Sequence, residues 1–340
     1  MSGVALVTGG AGFLGSHVAE RLVREGRRVI VLDDLSGGYR RNLPSNCEFV
    51  RGSVADRVLI ERVFAENRIA HVYHLAAYAA EGLSHFVRRF NYENNLLASI
   101  NLINAAVNHG VKCFVFTSSA AVYGSGADGA ASPTPTPVDP YGVAKLAVEQ
   151  DLRAAEEMFG LRHVVFRPHN VYGERQNLSD PFRNVIGIFL KQTLLGEPCT
   201  IFGDGKQTRN FTHVDDVAPA IARCVEAPEA WGKAFDIGSD QATSLNEIAE
   251  MVQNAVGCRV GVTRLPERRE AAHVKTNHEE ARRVFALGPG VELAEGLRRV
   301  AAWAADLELG PPRLDLTIEI ERELPPSWRN ALTKRAPHDS

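Results

Sequence analysis

Three observations predict an α/β fold, a doubly wound parallel sheet with a smaller C-terminal lobe. Short apolar runs alternate with amphipathic segments through the first half of the chain, the pattern of strands and helices that build a parallel sheet covered on both faces. A glycine-rich turn, Thr8-Gly-Gly-Ala-Gly12-Phe-Leu-Gly15, separates the first apolar run from the first helical pattern. Beyond Pro168 the alternation loosens, and Gly173, Pro181, Gly196, Pro198, Gly203 and Gly205 punctuate the chain, which implies loops feeding a second lobe. With 340 residues, the chain suffices for one two-lobed enzyme.

The elements follow in order. Residues 4–7 read as a strand and 12–24 as a helix. Further strands fall at 28–32, 48–51, 71–75 and 112–117, with helical patterns over 56–66 and 90–108. Residues 132–140 hold four prolines and read as a non-helical surface connection. A long helix over 142–158 and a sixth strand over 163–167 come next. The expected organisation is a nucleotide-binding Rossmann domain over 1–170, to which the chain returns near 205–240, and a mainly substrate-binding lobe over 171–310. An extension over 311–340 has a charged helix pattern and a polar tail whose last residues are expected to be mobile.

Composition narrows the function. A net charge of −3 gives no basic footprint for nucleic acid. Five scattered cysteines form no C-x-x-C pair, and the histidines show no ligand spacing, so no metal site is expected. The first residues lack a signal-peptide pattern, and no run of about 20 apolar residues could span a bilayer. A cytosolic location without membrane attachment is expected.

The glycine turn carries the cofactor argument. Gly9, Gly12 and Gly15 follow a strand and open a helix, where backbone can approach a pyrophosphate at a helix N-terminus. Phe13 and Leu14 share that turn. Asp33 closes the second strand about 20 residues on, where a carboxylate holds the ribose hydroxyls and repels a 2′-phosphate. NAD is the predicted cofactor.

Tyr141 and Lys145 carry the chemistry. Four residues apart on a helix, they project from one face. A free tyrosine has a pKa of about 10. A lysine ammonium favours the phenolate, and so would an oxidised nicotinamide, giving a usable general acid/base. Ser119, just beyond the fifth strand, could hydrogen-bond a substrate hydroxyl and share its proton with Tyr141.

These residues resemble those of the extended short-chain dehydrogenase/reductase family, specifically its nucleotide-sugar epimerases, including the UDP-glucose and UDP-glucuronate 4-epimerases. The resemblance runs from Thr8 to about residue 305. It includes His74-Leu-Ala-Ala77, Thr117-Ser-Ser-Ala-Ala-Val-Tyr-Gly124, Tyr141-x-x-x-Lys145, Arg167-Pro-His-Asn-Val-Tyr-Gly173 and the stretch from Gly203 through Arg209 to Ala218. It implies a UDP-sugar substrate, with Asn170 and Arg209 on the sugar diphosphate and Arg268 and Glu270 against phosphate and ribose. It also implies that Lys145 holds the nicotinamide ribose. Ser53 departs from the pattern, since relatives carry an Asp there for the adenine amino group.

The resemblance also orders the reactions. Sugar dehydratases of the family carry an Asp-Glu pair where this chain has Ala120 and Ala121. Dehydration and decarboxylation are therefore disfavoured, and epimerisation at C4 through a 4-keto sugar remains. In glucuronate epimerases of this kind an arginine near Arg183 grips the substrate carboxylate, which tips the expectation slightly toward UDP-glucuronate over UDP-glucose. Ser84 and His85 border the sugar pocket on this reading. A reductase with exchangeable cofactor shares these residues; a non-catalytic NAD sensor would typically have lost the Tyr/Lys pair. A homodimer is expected through the helices over 91–108 and 142–158, whose apolar faces include Leu96, Leu97, Ile100 and Ile103.

Overall fold

The structure is a computed structural model that describes residues 3–124, 134–267, 277–310 and 316–333. In the first half, β1 (Val4–Thr8), α1 (Phe13–Arg24), β2 (Val29–Asp33), β3 (Glu48–Arg51), α2 (Arg57–Glu66) and β4 (Ile69–His74) alternate. Next come α3 (Glu81–Ser84), α4 (Arg88–Tyr92), α5 (Ala98–Asn108), β5 (Cys113–Thr117), α6 (Pro140–Phe159) and β6 (His163–Pro168). The second half holds β7 (Val171–Tyr172), α7 (Val185–Leu194), β8 (Cys199–Phe202), β9 (Thr208–Asn210), β10 (Thr212–His213) and α8 (Val214–Arg223). It ends with β11 (Lys233–Ile237), β12 (Ala242–Ser244), α9 (Leu245–Val256), β13 (Val262–Leu265), α10 (Glu279–Phe285), α11 (Leu293–Ala305) and α12 (Pro326–Thr333).

Seven strands form one parallel sheet in the order β3-β2-β1-β4-β5-β6-β11. The strand order reverses between β1 and β4, and the carboxyl ends there frame the crevice in which such sheets bind ligands. β1, β2 and β5 are buried at every position, as strands covered on both faces must be. One apolar core joins a sheet face to α2, α5 and α6, through Leu59, Phe64, Leu102 and Leu152. The other joins the opposite face to α1 and α8, through Val18, Leu22, Val217 and Ile221. A separate core, with Phe189, Leu190, Ile248, Val252, Leu297 and Val300, packs α7, α9 and α11 beside β8.

Two helices differ from the sequence reading. α6 starts at Pro140, not at 142, because proline suits the first helical position and Asp139 caps the turn by accepting from Gly142 N at 2.9 Å. The single helix expected over 90–108 is α4 and α5 joined by a π turn, Glu93–Leu97. That wider turn lets two polar side chains face inward. Asn91 Nδ2 donates to Pro140 O at 2.9 Å, and Asn95 Nδ2 donates to Asn91 Oδ1 at 2.8 Å. Asn95 also holds the backbone of Tyr78, accepting from its N–H at 2.8 Å and donating to its carbonyl at 3.0 Å. Both asparagines are 1% exposed, so these bonds satisfy groups that would otherwise be costly to bury.

Candidate active site

A cleft of about 740 Å³ runs along the carboxyl edge of the sheet. Gly9, Gly12, Phe13, Leu14 and Asp33 line one end. The glycines there are required by space. Gly9 has φ +70°, and a Cβ on it would lie 2.6 Å from Ala76 N. A Cβ on Gly15 would lie 2.1 Å from the Gly9 carbonyl oxygen. α1 begins with Gly12 as its N-cap, with no side-chain cap and no acidic residue in its first turn. Its leading N–H groups are thus free of side-chain acceptors and suit a pyrophosphate. Asp33 is ordered by two backbone donors, Ala11 N at 3.0 Å and Leu35 N at 2.8 Å. Burial raises its pKa, and those donors oppose the rise. The cradle and the carboxylate fit NAD. Ser53 also lines the cleft, but its Oγ accepts from Ala55 N at 3.2 Å.

Ser119, Tyr141 and Lys145 converge farther along the same cleft. Tyr141 lies in the first turn of α6, Lys145 one turn later, and Ser119 caps the short turn after β5 by accepting from Ala121 N at 3.1 Å. Lys145 Nζ donates to Thr117 O at 2.7 Å and sits 5.7 Å from the Tyr141 ring centre.

Burial sets the protonation of both groups. It lowers Lys145 to about 7, and the Glu149 carboxylate opposes that fall. It raises Tyr141 above the usual phenol range, with the Glu81 charge adding to the rise and the Ser119 hydroxyl opposing it. In the ligand-free protein Tyr141 is therefore a neutral phenol. It becomes a base only when positive charge arrives beside it.

A buried polar network supports this pair. Glu149, one turn past Lys145, accepts from Arg167 Nε at 3.0 Å and Nη2 at 2.5 Å, and from Ser118 Oγ at 2.5 Å. Arg167 Nη1 donates to Tyr123 Oη at 2.7 Å, and Tyr123 Oη donates to the Asp236 carboxylate at 2.8 Å. Burial pushes Asp236 up to about 6. Sequence reasoning missed Glu149, although its i+4 spacing from Lys145 was a usable signal. It also missed Glu81, which lines the cleft near Tyr141.

The other expected residues divide. Asn170 and Arg209 line the cleft. Asn170 has φ +30° and donates from Nδ2 to Asn210 O at 3.4 Å, and Arg209 Nη1 donates to Thr208 O at 2.8 Å. Arg183 lines it too, with Nε 2.8 Å from Asp180 Oδ2 and its guanidinium 5.0 Å from the Tyr78 ring centre. Its Nη2 crosses to the loop after β2, where a Cβ on Gly37 would come within 2.8 Å. Ser84 is corrected. It is 2% exposed, its Oγ donates to Glu81 O at 2.5 Å and accepts from Tyr141 N at 3.3 Å, and it does not line the cleft. It fastens α3 to α6 from below, while its neighbour His85 does reach the cleft. Arg268 and Glu270 lie outside the described residues. Among the described residues no helix is long and apolar enough to cross a membrane.

Comparison with known proteins agrees with this geometry. The model of the NAD dependent epimerase/dehydratase family matches residues 5–238. The UDP-glucose 4-epimerase of Mycolicibacterium smegmatis is 35% identical, over 86% of this chain and 96% of the relative. The crystal structure of UDP-glucose 4-epimerase from Thermotoga maritima with UDP-glucose superposes with a TM-score of 0.82 at 34% identity, covering 88% of this chain and 98% of that one. That of UDP-glucuronic acid 4-epimerase from Bacillus cereus, with UDP-glucuronic acid and NAD, does so with a TM-score of 0.80 at 28% identity, covering 88% and 98%. From its glycine turn to the last strand of its sheet, this chain belongs to the NAD dependent epimerase/dehydratase family.

Proposed function

We propose that this chain interconverts the C4 epimers of a UDP-hexose, retaining NAD through the cycle. The observation that carries the proposal is the shared cleft, with a dinucleotide cradle at one end and Ser119, Tyr141 and Lys145 beyond it. When bound, NAD supplies the acceptor for the C4 hydride and its return. Tyr141 removes the C4 hydroxyl proton at its phenolic oxygen and later gives it back. Ser119 shares that proton and orients the hydroxyl. Lys145 keeps a positive charge against the phenolate, and Arg209 and Asn170 hold the diphosphate while the 4-keto sugar turns. Ala120 and Ala121 line the cleft and offer no acid for loss of water.

At C6 the reading moves toward a neutral sugar. Arg183 faces the cleft, as a uronate would need, but Asp180, with its side chain 1% exposed, already balances its charge at 2.8 Å. UDP-glucose and UDP-galactose are the first reading, and UDP-glucuronate the second through Arg183. A homodimer is part of the proposal. Val58, Leu97, Val143, Met158 and Phe159 are exposed large apolar residues on or beside α2, the π turn and α6. Ile103, expected on that face, is instead 2% exposed, because it lies on the side of α5 turned into the core.

The test uses protein as purified, with no cofactor added. Anomeric proton NMR follows UDP-glucose and UDP-glucuronate separately, and the appearance of a galacto epimer supports the proposal and names the sugar. Inertness toward both, with NADH consumed by a keto-sugar, would replace the epimerase with a reductase that exchanges its cofactor.

A further inference from the structure

The sequence marks residues past 310 only as a charged helix pattern and a tail, yet Leu316, Leu324 and Trp328 are buried together with residues that border the cleft. Leu316 is 3% exposed and lines the cleft, clustered with Ala80, Leu83, Phe182 and Trp328. Trp328, in α12, meets Phe182 and Phe86 edge-on, with ring centres 5.5 and 6.0 Å apart. It also closes on Gly82, where a Cβ would lie 2.9 Å from its Cη2. Glu319 fixes the strand-like run between them. Its carboxylate accepts from Arg89 N at 2.8 Å and Phe90 N at 2.9 Å, capping α4, while its own N–H donates to Phe86 O at 2.8 Å.

These contacts bind two separate walls of the cleft. Gly82 directly follows Glu81, Phe86 directly follows His85, and Phe182 directly precedes Arg183. Glu81, His85, Phe182 and Arg183 all line the same cleft as Ser119 and Tyr141, so both walls border the reacting end. We propose that residues 316–328 form the outer wall of the hexose subsite, with Leu316 against the sugar setting the size of substituent admitted and Trp328 positioning the two walls. The inference rests on the UDP-hexose reading and identifies its specificity element. The ligand class is a nucleotide-linked hexose whose substituent meets an apolar surface.

The test is made on the full-length, NAD-containing protein. Leu316→Ala is compared with wild type for kcat/KM on UDP-galactose and UDP-N-acetylgalactosamine. Opening the wall is expected to shift the ratio of the two toward the bulkier sugar by about ten-fold, with bound NAD unchanged. An unchanged ratio overturns the proposal. Trp328→Ala is expected to raise KM for UDP-galactose by about five-fold or more, and Trp328→Phe to restore it. Loss of NAD in step with loss of sugar binding would show a merely structural role and overturn the positioning part. Should wild type turn over neither sugar, the epimerase reading fails separately. The wall is then read by calorimetry with UDP, UDP-galactose and UDP-N-acetylgalactosamine. A Leu316→Ala change confined to the two sugars supports it, and an equal change for UDP alone overturns it.

Discussion

Replacing Glu149 with glutamine removes one charge from beneath the catalytic pair while keeping the side chain's size. Glu149 and Arg167 form a pair whose side chains are 5% and 14% exposed, so little water can substitute for either partner. Breaking a buried pair by removing one charge costs about 3–5 kcal/mol. The glutamine oxygen still accepts one Arg167 hydrogen, and Tyr123 still accepts another, so we expect about 3 kcal/mol. At roughly 2 °C per kcal/mol for a chain of this size, the melting midpoint should fall by about 6 °C. A second effect follows from charge. Glu149 favours the Lys145 ammonium against burial, so its loss lowers the Lys145 pKa further. Activity that needs charged Lys145 should then fade at lower pH, and the alkaline limb of the kcat profile should move downward. Differential scanning calorimetry and a pH series of the epimerisation rate read the two effects. A midpoint within about 1 °C of wild type, or an unmoved alkaline limb, would refute the coupling between this network and Lys145.

Three further outcomes are expected. Tyr141→Phe should reduce kcat by about 10²–10⁴-fold with bound NAD retained, since it removes only the proton carrier; near-wild-type turnover would reassign that role. Arg209→Leu should raise KM for the UDP-sugar with little change in NAD content, and an unchanged KM would remove Arg209 from the diphosphate site. Lys145 in the NAD-free protein has a pKa of about 7 against an ordinary value of 10.5. Between those values the unfolded chain binds more protons than the native one, so stability should rise with pH across that window. Lys145→Met should flatten the rise, as urea midpoints measured at the two ends of the window would show; equal slopes would refute it.

What the sequence disclosed was what local spacing encodes. The glycine turn, Asp33 after β2 and the Tyr141/Lys145 pair each depend on a short stretch of chain, and all reach the cleft. Glu81 and the wall around Leu316 were invisible because their placement depends on packing between distant segments. Tyr123 and Asp236, 113 residues apart, meet only because β11 joins the sheet beside β6. Ser84 shows the converse failure. A serine beside a pocket loop looks like a ligand, but one turn of helix decides whether its hydroxyl faces sugar or backbone. Ile103 was misread similarly, since an apolar helix face wide enough for two contacts does not reveal which residue serves which.

The π turn at Glu93–Leu97 is in effect a one-residue insertion that the helix has absorbed. Removing a residue there would restore regular α geometry, a local gain by helix propensity alone. It would also rotate everything on one side by about 100° relative to the other, breaking the contact between Asn91 and Asn95. Tyr78 would lose its backbone anchor, or Pro140 its carbonyl partner. Length at this point in the chain is therefore under functional restraint, and a shortened, tidier helix would make a stiffer protein with a misaligned site.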